Sequence, residues 1–211
     1  MLGAVIMVHG DDSGLVLPPK AAPVQIMIVP IRQNAEGVLD KVEEVSGELK
    51  AAGLRVKCDL TDKSPGFKFA EAEMRGIPLR IEIGPKDIEK GMCVVARRDT
   101  GEKKEASLSG IVDFIKNELS LMHDDMLKKA EEFLNSHISD AHDYDEFVDA
   151  IANKPGFVRA MWCGDVSCEE KIKEDTTATS RCMPFEQEAI DSKCVCCGKE
   201  AKKLVYWGKA Y

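Results

Sequence analysis

A chain of 211 residues has room for one large domain or two small ones, each with its own core. With 44% hydrophobic and 31% charged residues, the composition excludes a disordered or fibrous protein. The 29 Lys and Arg against 37 Asp and Glu give a formal net charge of -8, which excludes a protein basic all over but not one with a basic face.

Residues 4–9 form an apolar run that reads as a buried strand. The run lacks a basic leader and is too short to span a bilayer, and no later stretch is long enough, so a cytoplasmic chain without a membrane segment is expected. Gly10 to Gly14 punctuate a turn, and the proline cluster from Pro18 to Pro23 marks a boundary. Residues 24–29 are a continuous apolar strand. Residues 35–52 carry Val38, Val42, Val45 and Leu49 on one helical stripe, with Gly53 as the stop. Residues 54–58 alternate as a strand, so strand, helix and strand form a βαβ unit with parallel strands and a right-handed crossover. A short helix over 66–75, a strand over 77–83 and another over 92–97 complete an α/β domain of two or three layers. Beyond it, Leu108 to Phe133 keep a long helical stripe, a second helix starts at Asp143, and a strand over 156–162 runs into Cys163.

Charge and cysteines are both unevenly spread. Residues 111–153 hold eleven Asp or Glu against three Lys, while 63–104 hold ten Lys or Arg against seven acids. The basic stretch interleaves its cations with Phe67 and Phe69, a composition suited to single-stranded RNA and equally found on half-buried β surfaces. Cys58 and Cys93 stand alone in apolar runs, while six of the eight cysteines lie between 163 and 197. Close-spaced thiols in a chain without an export signal read as metal ligands rather than disulfides. Cys163, Cys168, Cys194 and Cys197 form two pairs that can close a structural zinc site, with Cys196 able to replace Cys194 if the turn is tighter. A redox dithiol and an iron–sulfur cluster are the alternatives. Cys182, in an apolar setting, is expected as a buried free thiol.

Three segments resemble the prolyl type of class II aminoacyl-tRNA synthetase. Residues 3–19 resemble the end of the catalytic domain, just past the motif 3 arginine. Residues 64–87, from Ser64-Pro65-Gly66-Phe67-Lys68-Phe69 to Gly84-Pro85-Lys86-Asp87, resemble the anticodon-binding domain. Cys163 through Trp207-Gly208-Lys209-Ala210-Tyr211 resembles the C-terminal zinc domain of the archaeal and eukaryotic-like members. The resemblance implies a catalytic-domain tail over 1–22, an α/β anticodon-binding domain with a mixed sheet and flanking helices over 23–120, and an α+β zinc-binding domain with a long linking helix over 121–211.

It also implies roles residue by residue. Phe69 would stack a base. Glu73 and Asp87 would accept from the N1 and N2 protons of the two anticodon guanines, and Arg80 would donate, with Lys103 or Lys104. Guanine's Watson–Crick edge offers two donors that one carboxylate accepts together, which agrees with this assignment. Without the resemblance, Glu73 reads as a helix-face charge and Asp87 as a turn carboxylate. His9, whose strand passes beside the adenylate pocket in the family, and the terminal Tyr211, as similar enzymes end in tyrosine, are candidates for a place near that pocket. Motifs 1 and 2 and the motif 3 arginine are not in the chain, so by itself it is expected to form no adenylate, as a gene fragment, a separate piece or a split subunit. ATP and Mg2+ would belong to the full-length enzyme, and the partners would be tRNA-Pro and the catalytic domain or full-length homodimer. The competing readings are a stand-alone RNA-binding zinc module and a cysteine-based redox or metal-buffering protein. The apolar strand at 4–8, without its sheet, is an expected solubility weakness.

Overall fold

The computed structural model describes residues 2–209 and divides into two compact units, one up to Ala130 and one from Glu131. Among the described residues, no helix is long and apolar enough to cross a membrane.

The first unit holds β1 (Ile26–Pro30), α2 (Val38–Ala51), β2 (Val56–Cys58), α3 (Pro65–Met74), β3 (Leu79–Ile83), α4 (Pro85–Glu89), β4 (Met92–Arg97) and β5 (Lys103–Ser107). They follow α1 (Leu2–His9), and α5 (Ile111–Ser136) comes after them, with the division between the units falling inside it. The sheet order is β2-β1-β3-β4-β5. β1 is parallel to β2 and β3, as the strand–helix–strand pattern requires, while β4 and β5 run antiparallel, so the sheet is mixed.

Strand alternation gives this sheet two different faces. On one, Ile26, Ile28, Leu79, Ile81, Ile83, Cys93 and Val95 pack against Val42, Val45 and Leu49 of α2 and Ile111, Ile115 and Leu119 of α5. Each such aliphatic side chain contributes about 1.5–3 kcal/mol on burial. On the other, Met27 and Val29 pack under Ala72 and Phe69 of α3. The second face is only partly roofed, because α3 is short. Ser64 caps its start by accepting from the Phe67 N–H, Pro65 suits its first turn, and Gly76, in the left-handed region at φ 67°, ends it. The open remainder carries Arg80, Glu82, Ala96 and Lys103.

The expected strand at 4–9 is instead the helix α1, with Met7 and Val8 exposed. Among the described residues this run has no neighbouring strand to pair with, and a helix satisfies its backbone N–H and C=O groups internally. The strand β5 escaped sequence reading because Lys-Lys-Glu-Ala-Ser has no apolar alternation, with only Ala106 fully buried.

The second unit contains β6 (Ile138–Ala141), α6 (Tyr144–Asn153), β7 (Phe157–Trp162), α7 (Val166–Thr176), β8 (Ala178–Cys182) and β9 (Lys203–Lys209), in sheet order β6-β7-β9-β8. Phe147 and Ile151 of α6 and Ile172 of α7 cover Val158, Ala160, Val205 and Trp207. Trp207 meets Phe147 edge-on at 5.9 Å and Trp162 edge-on at 6.4 Å, an arrangement that favours the aromatic quadrupoles. Cys182 is exposed rather than buried, a correction to its apolar-neighbour reading. It closes β8, where all but the first two residues are exposed.

Candidate functional site

The half-open face of the first sheet forms a groove of about 340 Å³, lined by Glu73, Arg80, Ala96, Arg98, Lys103 and Asp11 among others. Register builds it. Arg80 on β3 pairs across to Ala96 on β4, and Ala96 to Lys103 on β5. The three side chains form one row on one face, and the small Ala96 leaves a floor between two cations.

Each charge in the row is held. The Arg80 side chain is 8% exposed. Its Nη1 donates to Glu73 Oε1 at 3.0 Å and its Nε to Glu82 Oε1 at 3.2 Å. Lys103 Nζ lies 2.9 Å from the same Glu82 oxygen. Phe69 lies beneath, its ring 4.1 Å from the Arg80 guanidinium and 5.1 Å from Lys103 Nζ. Phe69, Glu73, Arg80 and Lys103 therefore come together.

Lys104 and Asp87 are placed otherwise. Lys104 points to the opposite face, as the next residue on a strand must, and donates to the buried Glu118 of α5 at 3.1 Å. The Asp87 carboxylate accepts from the Gly84 N–H at 2.9 Å and so caps α4. His9 closes α1, half-buried. Burial and the charge of Lys129 lower its pKa, and it lines neither constellation. Tyr211 lies outside the described residues.

Sequence reading missed three participants. Glu82 was findable, since it follows Arg80 by two and must share its face. Arg98 donates to the Glu73 carbonyl and, through both terminal nitrogens, to Asp11. Those hydrogen bonds draw the Asp11 carboxyl down to about 2. No local pattern signals a pair 87 positions apart. Arg97, its neighbour, faces the other way. It donates to Asp99 at 2.8 Å and to Asp125 of α5 at 2.8 Å, which raises its already high pKa.

In the second unit, Cys163 follows β7, Cys168 lies in the first turn of α7, and Cys194 and Cys197 sit on a turn closed by Gly198 N–H to Cys194 O at 2.9 Å and Cys194 N–H to Lys199 O at 2.7 Å. Val195 N–H donates to Met161 O, which ties that turn to the end of β7. The four Sγ atoms lie within 4.8 Å of one another. Cys163 Sγ is 3.7 Å from Cys168 Sγ and 3.8 Å from Cys197 Sγ. A tetrahedral zinc with bonds of about 2.3 Å needs sulfurs about 3.8 Å apart, so the donor set fits such an ion. Cys194 belongs to this quartet, while Cys196 is half-buried and packs against it. Burial raises the Cys163 and Cys168 thiols, whereas the Lys199 backbone N–H draws Cys197 down to about 7.

Residues 25–118 match the family described as "Anticodon binding domain", and residues 144–211 match that described as "Prolyl-tRNA synthetase, C-terminal". The whole chain is similar to curated proteins named "Proline--tRNA ligase". It is 62% identical over 212 residues to that of Agathobacter rectalis. It is 60% identical over 211 residues to that of Lachnospira eligens and 56% to that of Clostridium botulinum strain Okra. In each case the match takes in 100% of this chain and 44% of the relative, so the chain spans under half the length of the curated relatives it matches.

Proposed function

Because the chain belongs to the prolyl-tRNA synthetase family as its C-terminal portion, we propose that it is the tRNA-recognising and metal-holding part of a cytoplasmic proline–tRNA ligase. The observation that carries this reading is the cross-strand row of Arg80, Ala96 and Lys103, with Glu73 and Glu82 as counter-charges and Phe69 beneath.

Such a row suits a guanine of the tRNA-Pro anticodon. The base lies over the Ala96 floor, edge-on to the Arg80 guanidinium, which Phe69 supports from below. Glu73 accepts from N1–H and the N2 amino group. Arg80 and Lys103 donate to O6. Between the two lysines the geometry favours Lys103, because Lys104 faces α5. Asp87 serves a second guanine through the carboxylate oxygen that is not bonded to the Gly84 N–H.

Cys163, Cys168, Cys194 and Cys197 would hold one Zn2+. Four thiolates leave the ion no open position, so it supplies cross-linking and no chemistry on substrate. Proline activation, with ATP and Mg2+, is assigned to residues of the relatives beyond the 44% this chain spans, as is homodimer formation.

Anisotropy titration of anticodon stem-loop RNAs tests the assignment. A loop carrying GG is expected to bind at least about tenfold more tightly than one carrying AA, the discrimination of one good base contact. Equal affinities would instead support a stand-alone RNA-binding module. Pyrophosphate exchange with proline is expected to stay at background, and turnover by the 211-residue chain would overturn the division of labour.

A further inference from the structure

One wall of the groove lies outside the anticodon-binding match. Asp11 and Ser13 line the groove, yet the match starts at residue 25. Three observations join that wall to the base-reading residues. First, the buried Arg98 side chain, 6% exposed, donates through Nε to the Glu73 carbonyl at 2.8 Å. Its terminal nitrogens donate to both Asp11 carboxylate oxygens at 2.7 and 2.6 Å. Second, Glu73 is gripped twice: Arg98 holds its backbone, and Arg80 holds its carboxylate at 3.0 Å. Third, the segment after Asp11 lies along the end of α3. Leu15 N–H donates to Met74 O at 3.1 Å and Leu17 N–H to Gly76 O at 3.3 Å. The backbones approach so closely that a Cβ on Gly14 would sit 2.7 Å from the Met74 Cα, and one on Gly76 2.6 Å from the Leu15 Cβ.

We propose that Arg98 and Asp11 are positioning residues for base reading: the fork between them fixes the end of α3, and with it the Glu73 carboxylate, relative to Arg80 and Lys103. This rests on the anticodon reading above. Neither residue touches the base in this account. The fork needs a planar guanidinium with donors on two edges, one edge for the Asp11 carboxylate and one for the Glu73 carbonyl. A lysine ammonium keeps the charge but cannot hold both in a fixed plane.

The expected signature separates positioning from plain stabilisation. Removing the Asp11 charge leaves Arg98 uncompensated beside the groove, which strengthens attraction for any phosphate backbone. At the same time it loosens Glu73, which weakens the choice among bases. Affinity for RNA and selectivity for guanine therefore move in opposite directions, whereas a stabilising contact alone would move them together.

The test titrates the full 211-residue chain with the GG and AA stem-loops. In Asp11→Asn the GG-to-AA affinity ratio falls by about three- to tenfold, the range of couplings carried through a neighbouring side chain. Affinity for the AA loop is unchanged or higher. Asp11→Glu, which keeps a carboxylate, restores the ratio, and Arg98→Lys lowers it as Asp11→Asn does. Thermal melts check folding. If Arg98→Lys does not fold, Asp11→Asn decides alone, since the Asp11 side chain is 47% exposed. A wild type that discriminates and an Asp11→Asn chain with the same ratio would overturn the positioning role while leaving the anticodon reading intact. A wild type that does not discriminate overturns both.

Discussion

The groove of the first unit and the thiolate quartet of the second solve opposite problems with charge. In the groove, two cations and two carboxylates are satisfied by one another, and a ligand that offers the same donors and acceptors can take over those partners. In the quartet, four sulfurs point at one place and nothing is left over for a substrate. One arrangement can exchange partners, and the other, once closed on a metal ion, cannot.

The sharpest way to break this contrast is to load the quartet with Zn2+ and then remove it. Stripping a zinc-loaded chain with a chelator, or replacing Cys194 by Ser, is expected to cost the second unit on the order of 5 kcal/mol or more. Hydrogen exchange should show β7 and β9 opening while β1, β3 and β4 stay protected. Simultaneous opening of both sheets would show that the quartet supports more than its own unit. Next in size, Arg80→Ala is expected to lose about 1–3 kcal/mol of preference for guanine over adenine. Calorimetry with the two stem-loops measures this, and an unchanged preference would remove the groove from base reading.

The two neighbouring lysines sharpen the comparison further. Lys103→Ala should weaken stem-loop binding and flatten its salt dependence by about one counterion. Lys104→Ala should leave binding intact and instead cost about 1 kcal/mol of stability, because the 5%-exposed Glu118 loses its nearest cation. The smallest effect concerns pH. The folded Asp11 carboxyl sits near 2, below its unfolded value, so its contribution is present above about pH 4 and fades as pH falls towards 2. With a side chain 47% exposed, it is worth less than about 1 kcal/mol. Lower protection of the Leu15 and Leu17 amides on acidification, taken relative to their intrinsic exchange rates and without global unfolding, is the expected readout.

Much of this was legible from residue spacing. Val38, Val42, Val45 and Leu49 are all buried on α2, and the βαβ crossover followed from them. Periodicity failed where tertiary pairing decided the outcome. Residues 4–9 had no strand to join among the described residues. The polar β5 is a strand because β4 holds it. The Leu-Val-Tyr-Trp run of β9, overshadowed by the cysteines before it, proved to be an inner strand of the second sheet. The clustering of the four thiols was readable because each pair is close in sequence. The Arg98–Asp11 fork was not, because it joins residues that only the fold brings together.

Arg97 and Arg98 stand side by side at the end of β4, yet one is committed to the acids of α5 and the other to α3 and Asp11. Their identical chemistry hides a phase relation. Deleting a single residue from β4 would leave composition and net charge almost untouched. It would turn each guanidinium towards the other's side of the sheet and present apolar side chains to the wrong layer. The segment between Met92 and Arg98 should therefore accept many exchanges of residue type before it tolerates any change of length.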